Sequence, residues 1–203
     1  QRKIESASSG LPAGYHVELG GEHEAGAKAR KRLLLLSAAA LAAIFIMLHV
    51  DFRSAGLAFT IMFSVPLAGA GGIAAVLLSG GDVSLGTMVG FVAVFGIAVR
   101  NGILLISHYR HLQRENGAAV GRELILQGAA ERLAPILMTA SSTALALLPL
   151  IVRGNLPGHE IEYPMAIVIV GGLVSSTFLT VFLLPVLYEW FGWRLLPQDE
   201  SGV

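Results

Sequence analysis

Apolar residues in this chain of 203 residues gather into five long runs, and most charged residues lie between or outside the runs. The runs cover residues 33–50, 56–79, 84–109, 133–152 and 164–189. A helix that crosses the hydrocarbon core of a bilayer needs about 20 mostly apolar residues, because each residue advances the helix by about 1.5 Å. The pattern therefore predicts an all-α polytopic membrane protein whose five transmembrane helices occupy residues 33–193.

Polar segments flank and separate the apolar runs. Residues 15–19 alternate polar and apolar side chains between glycines, a pattern typical of a short β-strand. No second stretch of this kind accompanies it, so residues 1–32 are interpreted as the strand-bearing end of a larger extramembrane domain. The latter half of the 111–132 link predicts a short helix at the membrane surface, and residues 194–203 form a polar tail.

Composition narrows the possible classes of protein. Hydrophobic residues make up 54% of the chain and charged residues 14%, against about 25% charged in ordinary soluble domains. This excludes a soluble globular enzyme, and the same hydrophobicity excludes a disordered chain. The net charge of zero gives no sign of nucleic acid as a partner. The absence of cysteine excludes disulfides, thiolate metal sites and cysteine nucleophiles.

Arg100 lies well inside the third apolar run. An arginine at the centre of a bilayer costs about 2.5–3.5 kcal/mol on insertion scales, and it persists where it faces a bundle interior and pairs with an acid. Aspartate and glutamate occur only at the ends of the predicted spans or outside them. Either the side chain reaches an interface from a shorter span, or Arg100 belongs to an ion-coupling site whose carboxylates come from another half or subunit.

Neighbouring polar residues favour the ion-coupling interpretation. Asn101 follows Arg100 directly, and Thr139 lies in the fourth span with three further hydroxyls at 141–143. Arginine keeps its proton at any ordinary pH. It therefore acts as a fixed positive charge that carboxylates hold when ionised and release when protonated, which is a physical basis for proton-driven switching.

Small residues and prolines inside the spans predict close helix packing and bends. Gly86, Gly90 and Gly96 share the third span, and small residues let helix backbones approach closely in lipid. Pro66 in the second span and Pro185 near the end of the fifth are each expected to bend a helix. These five residues are predicted packing or hinge positions.

Five segments, in order, resemble the C-terminal part of an inner-membrane pump of the resistance-nodulation-division (RND) type. They lie at residues 11–18, 64–72, 89–104, 132–139 and 171–188. The third contains Val99-Arg100-Asn101-Gly102, and the last contains Ser175-Ser176 and Leu184-Pro185-Val186-Leu187-Tyr188. The last segment looks more like the heavy-metal cation branch of the family than the drug-exporting branch.

The resemblance implies a place for each part of the chain. Residues 1–32 would end the periplasmic porter region, and residues 33–193 would supply the last five of twelve helices. The N-terminus would then be periplasmic and the tail at 194–203 cytoplasmic, in a multi-pass protein of the bacterial inner membrane.

The resemblance also implies a function, the proton-driven export of metal cations or drugs across the cell envelope. In drug-exporting members a lysine stands at the position of Arg100 and pairs with aspartates of the N-terminal half. A proton-relay role is therefore implied for Arg100, Asn101 and Thr139. The implied partners are the missing N-terminal half, further copies in a homotrimer, a periplasmic adaptor, an outer-membrane channel and the lipid bilayer. No cofactor is implied.

Two other interpretations stay open. A non-transporting membrane scaffold, or the remnant of a pump, would use the same spans for assembly alone. An intramembrane hydrolase needs a nucleophile and a base that converge, and only His49 near Asp51 suggests one. His108 and His111, three residues apart, form a weak ligand set without a carboxylate or cysteine partner, so no metal site is assigned.

Overall fold

The computed structural model describes residues 22–80, 83–116 and 121–189. Every regular element in these ranges is helical. The strand predicted at 15–19 lies outside the described residues. The helices are α1 (Glu22–Phe52), α2 (Ala55–Leu78), α3 (Leu85–Asn116), α4 (Arg122–Arg153), α5 (Glu162–Phe178) and α6 (Leu184–Leu187), with a π-helical turn at Leu179–Leu183 between α5 and α6.

Five segments are long and apolar enough to cross a membrane, so the prediction of five spanning helices is confirmed. They are Gly26–Phe52, Ala55–Leu78, Leu85–Glu115, Arg122–Arg153 and Glu162–Leu187. Three of them extend well beyond the apolar runs that predicted them. Helical hydrogen bonds do not require apolar side chains, and Ala, Lys, Arg and Glu in the flanking segments are good helix formers.

The prediction of a separate surface helix in the latter half of the 111–132 link is wrong. Helix α4 begins at Arg122 and continues without a break to Arg153. Leu124 and Ile125 in its first turn are buried against the bundle, which anchors this end of the helix to protein. The polar turns that were assigned to a surface helix are therefore the first turns of the fourth spanning helix.

Helix α5 packs closely against α2 at a contact made of small residues. A side chain on Gly171 would collide with Ala75 and with the backbone of Gly71, and one on Gly71 would collide with Ser175. The hydroxyl of Ser175 donates to the carbonyl oxygen of Ala68 at 2.8 Å, across the two helices. Small residues and interhelical hydrogen bonds of this kind are what hold helices together in lipid.

The opposite side of α5 packs against α3 in a similar way. A Cβ on Gly86 would collide with the backbone of Ile161, and one on Gly90 would lie 2.8 Å from Val168 and 3.0 Å from the carbonyl oxygen of Met165. Gly96 differs, because a Cβ there would meet nothing within 4 Å. Helices α2, α3 and α5 therefore form the core of the bundle.

A second packing cluster fills the end of the bundle near the α1–α2 turn. Phe52, Tyr109 and Tyr188 are almost fully buried there, and the two tyrosine rings lie 4.9 Å apart. The guanidinium group of Arg110 lies 5.3 Å from the centre of the Phe52 ring, within reach of a cation–π attraction. This cluster joins α1, α3 and the segment after α5.

The two prolines have different surroundings. Helix α2 continues through Pro66 without ending. The π-helical turn Leu179–Leu183 comes just before Pro185, which occupies the first turn of α6. Proline has no N–H to donate, and a π turn is one of the recognised ways in which a helix absorbs such an interruption.

Replacing Gly90 with alanine is expected to destabilise the protein, because the new Cβ must displace the α5 backbone. Overpacking of this kind costs about 1–3 kcal/mol. Gly96→Ala on the same helix is the matched control and is expected to stabilise by about 0.5–1 kcal/mol, since alanine is the better helix former. Thermal unfolding of the detergent-solubilised protein measures both, and equal effects at the two positions would contradict the packing described.

Candidate functional site

Arg100 lies on α3 at the interface between α3 and α4. Its side chain is exposed, and within the described residues it forms no ion pair with an aspartate or glutamate. The next residue, Asn101, is buried. An unpaired arginine in a membrane-crossing helix is expensive unless an anion from elsewhere reaches it.

Arg100, Asn101 and Thr139, the three predicted relay residues, line one cleft between α3 and α4. The cleft has a volume of about 130 Å³. Its remaining lining residues are Leu104, Leu105, Arg132, Pro135 and Ile136. The structure thus brings Thr139 next to Arg100 and Asn101, although it lies on a different helix.

Thr139 reaches the cleft because of the helical spacing of α4. Arg132, Pro135, Ile136 and Thr139 recur at three- and four-residue intervals, which places them on one face of the helix. The Thr139 hydroxyl donates to the carbonyl oxygen of Pro135 at 3.0 Å. Its proton is therefore used within α4, while the oxygen can still accept a hydrogen bond from a group in the cleft.

Sequence reasoning missed Arg132 as a residue of this site. Its Nε atom is buried and has no hydrogen-bond partner among the described residues. The available signal was its position, seven residues before Thr139 and hence on the same helix face. Two guanidinium groups, from Arg100 and Arg132, therefore line a cleft to which the described residues contribute no carboxylate. The electrostatics of the cleft favour an anion.

A polar cluster joins α3 and α4 next to the cleft. Nε2 of His108 lies 2.6 Å from Oε2 of Glu131, and Nε2 of Gln127 donates to Oε1 of the same carboxylate at 2.9 Å. Glu131 lies inside α4 although it falls outside the predicted fourth span. Both oxygens of Glu131 are engaged in these contacts, and the carboxylate forms no ion pair with Arg100.

The other predicted site residues lie away from the cleft. Gly86 and Gly90 face α5, Gly96 has open space beside it, and Pro66 and Pro185 do not line the cleft. His49 and Asp51, the residues considered for a hydrolase, are exposed near the end of α1. In the described part of the chain, no group of three or more His, Cys, Asp or Glu side chains is placed to hold a metal ion.

Five helices long and apolar enough to cross a membrane, with a cleft between α3 and α4 that two arginines line, are the features of a polytopic membrane protein. The AcrB/AcrD/AcrF family matches residues 1–192. The chain belongs to this family of RND efflux transporters, and the resemblance in its sequence is confirmed.

Individual relatives agree with this assignment. The chain is 40% identical over 177 residues to the nickel and cobalt resistance protein CnrA of Cupriavidus metallidurans, covering 87% of this chain and 16% of the relative. It is 37% identical to the cobalt-zinc-cadmium resistance protein CzcA of the same organism, covering 88% and 17%. The multidrug resistance protein MdtC of Serratia proteamaculans is 34% identical, covering 95% and 18%.

A crystal structure of a heavy metal efflux pump has the same arrangement of helices. Its TM-score is 0.71 at 34% identity, and the match covers 94% of this chain and 18% of that pump. The chain therefore spans less than a fifth of the length of the relatives that it matches.

A cysteine at position 139 is expected to react with a charged, water-soluble thiol reagent in intact membranes. The reason is that a cleft lined by two arginines must hold water or an anion, because dry guanidinium groups would be costly. Met138→Cys is the matched control, since Met138 is 71% exposed on the outer face of α4 and is expected to face lipid. The chain has no native cysteine to interfere. Equal labelling at the two positions, or labelling at 138 alone, would contradict a hydrated cleft.

Proposed function

We propose that this chain supplies proton-coupling helices to a proton-driven efflux transporter of the bacterial inner membrane. The observation that carries the proposal is the cleft that Arg100 and Arg132 line without any carboxylate from the described residues. A charge that is retained inside a membrane without a local partner marks a functional site. Membership of an efflux family supports transport as the function it serves.

The proposed mechanism follows from the chemistry of arginine. Arg100 stays charged throughout, because a guanidinium group does not give up its proton in a protein. Carboxylates contributed by another part of the pump are held against it when they are ionised and released when they bind protons. Asn101 and the Thr139 oxygen supply neutral hydrogen-bond partners that stay in place in both states. Proton uptake is thereby converted into a change in the contacts between α3, α4 and the rest of the pump.

Metal cations are the proposed class of substrate, with drugs as the alternative. CnrA and CzcA, whose names refer to resistance to nickel, cobalt, zinc or cadmium, are 40% and 37% identical to the chain. MdtC, named for multidrug resistance, is 34% identical. The described residues hold no cluster of three metal-ligating side chains. We therefore assign cation binding to other parts of the pump and proton coupling to this one.

The proposed topology and partners follow from family membership. The N-terminus is periplasmic, with residues 1–32 ending the porter region, and the tail at 194–203 is cytoplasmic. The complete pump contains an N-terminal half that bears the carboxylates, assembles as a homotrimer and works with a periplasmic adaptor and an outer-membrane channel. Pro66 and Pro185 act as hinges, and Gly86 and Gly90 let α3 pack closely against α5.

Replacing Arg100 with leucine in the complete pump is expected to lower metal resistance of the host cells by about tenfold or more, a typical size for a coupling between sites. Arg100→Lys keeps the positive charge and is expected to retain much of the resistance. Arg114→Leu is the control, since Arg114 is an exposed arginine on the same helix outside the cleft. The minimal inhibitory concentration is measured alongside the amount of trimer in the membrane.

The same experiment separates transport from a scaffold role. A scaffold or pump remnant needs α3 only for assembly, so it predicts intact trimer and unchanged resistance for Arg100→Leu. That result would defeat the proton-coupling proposal. A hydrolase built on His49 and Asp51 predicts that those residues are essential and that Arg100 is dispensable.

A further inference from the structure

The histidine–glutamate pair between α3 and α4 has no place in the proposed relay. His108 is 15% exposed and Glu131 is 44% exposed, and Nε2 of His108 lies 2.6 Å from Oε2 of Glu131. An ionised carboxylate can only accept, so the imidazole donates through Nε2. Gln127 donates to the second oxygen at 2.9 Å from one turn earlier in α4. Within the described ranges, the bond between His108 and Glu131 is the one side-chain-to-side-chain hydrogen bond that joins α3 to α4.

The pair and the cleft both lie at the interface between α3 and α4. On α3, His108 follows Arg100 by eight residues, which corresponds to about 12 Å along the axis. On α4, Glu131 directly precedes Arg132 and comes eight residues before Thr139. A spacing of eight residues keeps two positions on the same broad helix face. A shift of α4 along α3 at the His108–Glu131 pair therefore also moves Arg132 and Thr139 relative to Arg100.

The fully buried residues of helix α4 lie in its first half. Its buried residues are Leu124, Ile125, Gly128 and Ile136. Gly128 lies against the ring of Tyr109, where an added Cβ would be 2.7 Å from two ring carbons. Beyond Ile136 no residue of α4 is buried in the described structure. The His108–Glu131 pair therefore lies within the part of α4 that is most deeply buried, whereas Leu147, further along the helix, packs partly buried against the core of the bundle.

We propose that His108 and Glu131 form a positioning clasp that sets the register of α4 against α3 and so keeps Arg132 and Thr139 opposite Arg100. The clasp rests on the proposed function, because its purpose is the geometry of the relay cleft. Few side chains of α4 are fully buried, so packing beyond the close contact of Gly128 with Tyr109 does little to fix this register. A short, directional, charge-assisted hydrogen bond supplies the missing specificity.

A second histidine–glutamate pair on the same helix serves as a control. Nε2 of His111 lies 3.4 Å from Oε1 of Glu115, four residues later in α3, and both side chains are about 60% exposed. Exposed pairs of this kind contribute little to structure. Both ends of the pair also belong to α3, so it does not constrain α4.

The first test measures proton flux by the complete pump after single and paired substitutions. His108→Phe keeps a ring but removes the donor, and it is expected to lower the flux by about fivefold or more, as is Glu131→Ala. The exchange variant H108E/E131H restores the pair in reverse and is expected to return flux to within about twofold of the original. Glu131→Gln keeps an acceptor oxygen and is expected to keep most of the flux, while His111→Phe has no effect.

The outcomes separate the clasp from the proposed function. If Arg100→Leu abolishes flux while His108→Phe leaves it unchanged, the clasp is overturned and the relay stands. If Arg100→Leu has no effect, the relay itself fails. If the exchange variant is no better than the single variants, the hydrogen bond does not position the helices and the clasp is again overturned.

The second test reads the geometry of the cleft without using transport. Cysteines replace Leu104 and Ile136, which line the cleft from α3 and α4. Any other cysteine of the complete pump is first replaced by serine. A short bifunctional thiol reagent is expected to cross-link them rapidly, and His108→Phe is expected to slow the reaction by about fivefold or more. His111→Phe leaves the rate unchanged. Equal cross-linking rates in the original pump, His108→Phe and His111→Phe would show that the His108–Glu131 pair does not control the geometry of the cleft.

Discussion

The close approach of α5 to α2 and α3 fixes where the other helices lie. In lipid, apolar surfaces gain nothing from leaving water, so helices associate through van der Waals contact and interhelical hydrogen bonds. Gly71 against Gly171, and Gly86 and Gly90 against the α5 backbone, provide that contact on both sides of α5. A rigid three-helix core follows, and α3 carries Arg100 as part of it.

The cleft lies where this rigid core meets a helix that is much less firmly held. Arg100 and Asn101 belong to the core helix α3, whereas Arg132 and Thr139 belong to α4, most of whose surface is uncovered in the described structure. A charged site between a fixed and a loosely attached element is well suited to coupling, because a change in charge can move one side relative to the other. The two arginines supply the fixed charge, and the proposed coupling requires an anion that reaches Arg100 from another part of the pump.

The sequence was most informative where the membrane itself imposes a pattern. Long apolar runs predicted all five spanning helices. Arg100 was recognisable as a candidate functional residue because a charge inside such a run is energetically costly. The helix ends were less well predicted, since backbone hydrogen bonding carries α4 through polar residues from Arg122 onward. A strand at 15–19 and the roles of the relay residues stay predictions.

Contacts between distant residues could not be read from the sequence. Nothing in the sequence pairs His108 with Glu131, because their proximity depends on how α4 lies against α3. His108 was considered instead with His111 as a weak metal-ligand set. Arg132 was recognisable in principle from its spacing to Thr139, but its burial depends on how α4 meets α3. Local patterns thus identify elements and rare charges, whereas partners depend on packing.

The central claim is that Arg100 couples proton movement to transport, and proton flux per pump tests it most directly. The complete pump is reconstituted into liposomes that contain a pH-sensitive dye, and a metal cation is supplied as substrate across a fixed pH gradient. The account predicts substrate-dependent proton flux in the original pump and none above the protein-free background in Arg100→Leu. Undiminished flux in Arg100→Leu, with correctly assembled trimer, would contradict the account.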